Sequence, residues 1–132
     1  MIYALDTNTV SFFLRENEQV KFHADNALNK GHKLLIPKVV DYEIRRGLEA
    51  KRMYKIMRKY LDFRKAIEIG IIDDAVWDKA VNIYALLSQE GKPIGDGDVL
   101  IAAFCLVNNF TLVTDNIRHF ENINGLSIVN WK

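Results

Sequence analysis

Two aspartates, Asp96 and Asp98, open the stretch GDGDVLIAAFCLV, in which residues 99–107 carry no polar side chain. Such a run reads as an element buried on every side, and carboxylates do not enter an apolar interior unless something holds them. One helix N-cap is the ordinary explanation, since the helix dipole favours an anion there, but one cap needs one aspartate. Three further positions raise the same question. Asp6 ends the apolar run MIYAL, and Asp115 with Asn116 follows TLVT. Glu43, on a helix expected from Lys38, falls at the edge of the apolar face rather than opposite it. Taken singly, Asp6-Thr7-Asn8 is a capping turn and Glu43 an ion-pair partner for Arg46. Drawn together, three or four carboxylates from Asp6, Glu43, Asp98 and Asp115 would repel one another, and a hard divalent cation such as Mg²⁺ or Mn²⁺ resolves that repulsion.

No other chemistry competes. His23, His32 and His119 are scattered, and Cys105 stands alone inside the apolar run, where it reads as a small buried hydrophobe. There is no phosphate-cradling glycine loop and no G-x-S-x-G turn. Net charge is +1, but Lys and Arg concentrate between Arg45 and Lys65, where nine bases meet two acids. That segment is either a solvated helix face or a grip for a polyanion, with charge alone favouring neither. An acid cluster with a cation beside a basic segment suggests phosphodiester chemistry. The cation polarises a phosphoryl oxygen and acidifies a water, and a second cation, if present, stabilises the leaving oxygen.

The elements that must position these residues alternate. MIYAL, KLLIP, IEIGIID, TLVT and LSIVNW read as short strands. Between them lie helical patterns: Val10, Phe13 and Leu14; Val20, Ala24, Ala27 and Leu28, ended by Gly31; and KVVDYEIRRGLEAKRMYKIMRKYLDF, broken near Gly47 or Lys51. A further helix follows an aspartate cap, with Trp77, Ala80, Val81, Tyr84 and Leu87 as its inner face. Continuous apolar strands alternating with helices predict an α/β sandwich, a mainly parallel sheet covered on both faces. The whole chain, residues 1–132, is expected to be one domain, with no repeat and no linker. In open α/β sheets ligands bind outside the carboxyl ends of the strands, which is where Asp6 and Asp115 fall. No apolar run is long enough to span a bilayer and the N-terminus lacks the pattern of a signal peptide, so a cytoplasmic location without membrane contact is expected.

The ordered set ALDTN, Glu43 after a proline-ended strand, GDGDVLIAA, TLVTDN and GLSIVNW resembles the PIN-domain ribonucleases. Within them the chain is similar to the VapC toxins of type II toxin–antitoxin pairs. Each motif alone is weak, whereas the ordered set covers nearly the whole chain. The resemblance implies a three-layer α/β/α fold with a short central sheet. It places Asp6 and Asp98 as metal-binding residues, with Glu43 as the acid on the helix after the second strand and Asp96 as an accessory acid. The family's T-x-[D/N] pattern aligns Thr114 with its threonine and Asn116 with the acid position, leaving Asp115 as the variable residue or a substitute. The implied activity is Mg²⁺- or Mn²⁺-dependent cleavage of RNA, with the toxins that cut the anticodon loop of initiator tRNA as the nearest group. The implied partners are that RNA, a VapB-type antitoxin that blocks the acidic site, and a second copy of the chain, in a larger complex with the antitoxin.

Arg45, Arg46, Lys51 and Arg52 begin two residues after Glu43 and are expected to grip RNA phosphates. Met53, Tyr54, Ile56, Met57 and Tyr60, interleaved with the bases, are expected to pack in the core, with a base-stacking surface or an antitoxin-binding stripe as alternatives. A second class of function is a non-catalytic PIN-like module that binds RNA or protein, motivated by the amide at Asn116. A metal-dependent phosphatase fits less well, because Asn8 stands where a D-x-D motif needs its second acid.

Overall fold

The computed structural model describes residues 1–132. Twelve elements follow in the order β1 (Ile2–Leu5), α1 (Thr7–Leu14), α2 (Glu18–Asn29), β2 (Lys33–Pro37), α3 (Lys38–Ala50), α4 (Tyr54–Lys65), β3 (Glu68–Gly70), α5 (Asp74–Gln89), α6 (Asp96–Asn108), β4 (Thr111–Val113), α7 (Ile117–Phe120) and β5 (Ile128–Val129). The five strands form one parallel sheet in the order β3-β2-β1-β4-β5. Helices cover both faces, giving the three-layer α/β/α sandwich that the alternation of patterns predicts.

Local chemistry sets the boundaries. Asn17 caps α2 through Val20 N (3.1 Å) and Asp73 caps α5 through Val76 N (3.1 Å). Gly31 takes φ 81° just beyond α2, a left-handed turn that only glycine enters without cost. The basic helix breaks at residues 51–53, where Arg52 takes φ 54°, and Gly47 lies inside α3. A Cβ at Gly70 would run into the Phe104 ring, so glycine lets β3 close against α6.

The buried apolar side chains form a single cluster that includes Ala4, Leu35, Ile36, Ile101, Ala102 and Leu112. Three helix faces differ from expectation. The inner row of α5 is Val76, Ala80, Ile83 and Leu87, while Trp77, Val81 and Tyr84 are more than half exposed. The apolar stripe of α5 is wider than the contact it makes, and α6 covers only part of it. Likewise Leu28 is exposed on α2, and the apolar run of α6 surfaces at Val107. No helix is long and apolar enough to cross a membrane.

Candidate active site

The chain leaves β1 toward β2 and β3 on one side, then returns to place β4 and β5 on the other. The sheet therefore reverses its order between β1 and β4, the place where a crevice opens in such folds. Leu5 pairs with Val113 across these strands, so the next residue of each, Asp6 and Thr114, must meet. Thr114 Oγ1 donates to Asp6 Oδ2 (2.6 Å) and Asp6 N to Val113 O (3.0 Å). Asp6 Oδ1 also accepts from Thr7 N (2.8 Å), capping α1. The capping turn and the inward-facing carboxylate are thus one and the same residue. Only 3% of Asp6 is exposed. Its carboxyl is raised to about 6, chiefly by burial; the hydrogen bonds from Thr114 and Thr7 oppose the rise, and the charges of Asp98 and Glu43 add to it.

Glu43 projects from α3 to the same place. Its Oε1 accepts from Thr7 Oγ1 (2.9 Å), and Arg46 Nη2 lies 3.8 Å from its Oε2. Room for this carboxylate comes from Gly97: a Cβ there would stand 2.7 Å from Glu43 Oε2. Asp98 enters from the first turn of α6, and His119 Nδ1 stands 2.8 Å from its Oδ2. An ionised carboxylate only accepts, so Nδ1–H is the donor.

These groups line a cleft of about 390 Å³ together with Thr7, Asn8, Arg46, Gly47 and Asn116, with no hydrophobic residue among its walls. Asn116 is held by its backbone N–H, which donates to Thr114 Oγ1 (3.0 Å). Asp115 is not among the lining residues and accepts from Asn8 Nδ2 (3.4 Å). Asp96 is exposed outside the cleft, and the N-cap of α6 is Gly95, so neither aspartate of GDGD caps the helix. Asp6, Glu43 and Asp98 bring carboxylate oxygens to the cleft and Asn116 brings an amide, a set that offers hard oxygen to a divalent cation of the Mg²⁺ class. As they stand, no three acidic or imidazole groups close on one point.

The basic positions separate. Arg46 lines the cleft, and Arg45 turns to Asp41 (3.7 Å). Lys51 lines a neighbouring groove with Leu14, Ile44, Leu48, Met53 and Ile56, and Arg52 is exposed in the turn after α3. Tyr60 is fully buried, as core packing predicts, whereas Met53 and Tyr54 are exposed.

Two residues escaped the sequence reading. His119 lies three residues beyond Asn116, one turn along α7, a spacing that could have linked it to the strand end. Asp41, 1% exposed, is the buried acid of α3; it takes the Tyr60 hydroxyl (2.7 Å) and faces Arg64 Nε at 2.9 Å, an ion pair whose angle makes no hydrogen bond. Tyr60 lies 19 residues away and Arg64 lies on the same distant helix, beyond the reach of local pattern.

Comparison with known proteins agrees with this geometry. The family model for the PIN domain matches residues 3–126. Ribonuclease VapC2 of Rickettsia felis is 30% identical over 132 residues, covering 99% of this chain and 98% of that one. The tRNA(fMet)-specific endonuclease VapC of Shigella flexneri is 29% identical, covering 98% and 97%. The crystal structure of VapBC2 from Rickettsia felis, bound to a DNA fragment from their promoter, superposes over the full length of both chains with a TM-score of 0.91 and 28% identity. With the sheet order, the acids at its switch point and the length of the match all in accord, the chain belongs to the PIN-domain family.

Proposed function

We propose that this chain is a divalent-metal-dependent endoribonuclease, the toxin of a type II toxin–antitoxin pair. The observation that carries this reading is that Asp6, Glu43 and Asp98 all line one polar cleft, where the charges of Asp98 and Glu43 add repulsion to the burial that raises the Asp6 carboxyl. Mutual repulsion of that kind is what a bound cation relieves, and the hard-oxygen donor set suits Mg²⁺ or Mn²⁺. Asp6 and Asp98 would hold it, with Glu43 and the Asn116 amide completing the set. When bound, it supplies charge to the phosphoryl oxygen and acidifies a water.

The chain's own residues do the rest. Thr7 and Arg46 fix the Glu43 carboxylate, and His119 fixes Asp98 by one oxygen and leaves the other without a protein donor. Arg46 stands at the rim, where a phosphate of the substrate arrives. The absence of apolar walls admits the water that hydrolysis consumes.

The name of the Shigella flexneri relative supports initiator tRNA as the substrate, and we place the cut in its anticodon loop. The complex of the Rickettsia felis relative supports a VapB-type antitoxin as partner. The apolar groove of Leu14, Ile44, Leu48, Met53 and Ile56 shares Thr7, Glu43 and Gly47 with the cleft, and we assign it to that antitoxin. The exposed row Trp77, Val81 and Tyr84 on α5 supports self-association. The test is incubation of antitoxin-free protein with total tRNA and Mg²⁺ or Mn²⁺, with cuts mapped by primer extension. One discrete cut in initiator tRNA is expected. Cuts confined to another RNA would change the substrate, and no cut from folded protein would favour the non-catalytic module.

A further inference from the structure

A second groove, of about 430 Å³, runs along α3 beside the acidic cleft, and Arg46 lines both. Lys38, Tyr42, Arg45, Glu49 and Met57 form the rest of its wall, and Asp41 lies beneath. Three cations converge on that one buried carboxylate: Arg64 at 2.9 Å, Lys38 at 3.4 Å and Arg45 at 3.7 Å. Arg64 alone neutralises Asp41, and the Tyr60 hydroxyl supplies it with a hydrogen bond. Lys38 and Arg45, about half exposed, are therefore in excess. Glu49 at the rim offsets one of them, and the groove stays net positive. Tyr42 is 58% exposed, and the Arg46 guanidinium sits 5.0 Å over its ring, which leaves the rest of the ring open. An exposed aromatic ring among surplus cations matches single-stranded nucleic acid, whose bases stack and whose phosphates need charge.

We propose that this groove is a nucleotide subsite, which seats one unpaired base against Tyr42 and its phosphate against Lys38 and Arg45. It deepens the ribonuclease reading and rests on it. The RNA leaves the acidic cleft over Arg46 and runs along α3, away from Lys51 and Arg52. The base of the subsite demands an unpaired strand, which makes the groove selective for loops over duplex.

The test is fluorescence anisotropy with a labelled RNA hairpin in EDTA, which reads binding without cleavage, beside the wild-type cleavage assay. Tyr42→Ala is expected to weaken binding about tenfold, with Tyr42→Phe restoring it. Lys38→Gln is expected to weaken it and to lower the slope of log K against log salt by roughly one. Tyr42 is exposed, so neither of its variants threatens the fold. Wild type that cuts RNA while Tyr42→Ala binds as tightly as wild type would overturn the subsite and leave the ribonuclease reading standing. Equal weakening on a blunt duplex of the same length would overturn the stacking role. Competition by a poly-glutamate peptide that depends on Tyr42 would overturn RNA in favour of an acidic protein. Wild type that neither binds nor cuts RNA would overturn both readings.

Discussion

His119 Nδ1 lies 2.8 Å from Asp98 Oδ2, joining the short helix α7 to the first turn of α6 across the mouth of the acidic cleft. The imidazole is more than half exposed, and Asp98 is its polar side-chain partner. Groups that orient a ligating carboxylate typically change metal affinity or activity about 10–100-fold when removed. His119→Ala is expected to lower cleavage by roughly tenfold or more while the melting temperature holds, and His119→Gln, which keeps an N–H donor, should recover part of the loss. Single-turnover cleavage of the three proteins, with melting curves alongside, checks it; an Ala variant as fast as wild type would remove His119 from the site.

Asp6 predicts a pH dependence in the metal-free protein. Its carboxyl moves from 3.8 to about 6 on folding, so the folded chain holds the proton more tightly than the unfolded chain. The resulting stability is fully present below about pH 4 and is lost as pH rises through about 6. The displacement corresponds to roughly 3 kcal/mol, taken as an upper figure for a single buried group. Urea unfolding of wild type and Asp6→Asn across this range should show a gap between them that changes with pH, since the amide does not titrate. A divalent cation competes with that proton, and is expected to raise the melting temperature more at neutral pH than at pH about 5. A shift that is the same at both would count against a cation on Asp6.

Asp41 holds α3 to α4 through Arg64 and Tyr60. Asp41→Ala strands those partners, and loss of one member of a buried pair costs roughly 3–5 kcal/mol. Tyr60→Phe removes one donor to a buried charge and should cost about 1–3 kcal/mol. Denaturant midpoints measure both, and an Asp41→Ala loss under about 1 kcal/mol would mean the pair is solvated.

Gly97→Ala separates site from fold. The new Cβ would stand 2.7 Å from Glu43 Oε2, the free end of a side chain that can move away. Stability should therefore change by no more than about 1 kcal/mol, because alanine suits a helix better than glycine. Cleavage should fall about a hundredfold, the usual penalty for a misplaced catalytic group. Wild-type turnover in this variant would show that the position of Glu43 is not critical.

The sheet was legible because each strand is a short, unbroken apolar run, and parallel strands buried on both faces leave that trace. Asp6 was legible for the same reason, as the first polar residue after β1. Asp98 and Glu43 stood out by polarity at the edge of apolar faces. Less was legible where the decision lay in tertiary contact. The apolar row Trp77, Val81 and Tyr84 on α5 has the spacing of an inner face, and only the placement of α6 shows that Val76 and Ile83 take that role. Asp115 and Asn116 are adjacent in sequence, yet the hydrogen bond from Asn116 N to Thr114 Oγ1 shapes a turn that leaves Asn116 in the cleft and Asp115 beside Asn8. Asp96 and Asp98 likewise differ by two residues on one helix turn, which sends one to solvent and the other to the cleft.

The most direct measurement is cleavage of total tRNA by wild type and by folded Asp98→Asn, each with Mn²⁺ and with EDTA. Wild type should cut with Mn²⁺ and fall silent in EDTA, and Asp98→Asn should stay silent in both. Cutting by Asp98→Asn at the wild-type rate, or cutting undiminished by EDTA, would contradict a metal held by the acids of this cleft.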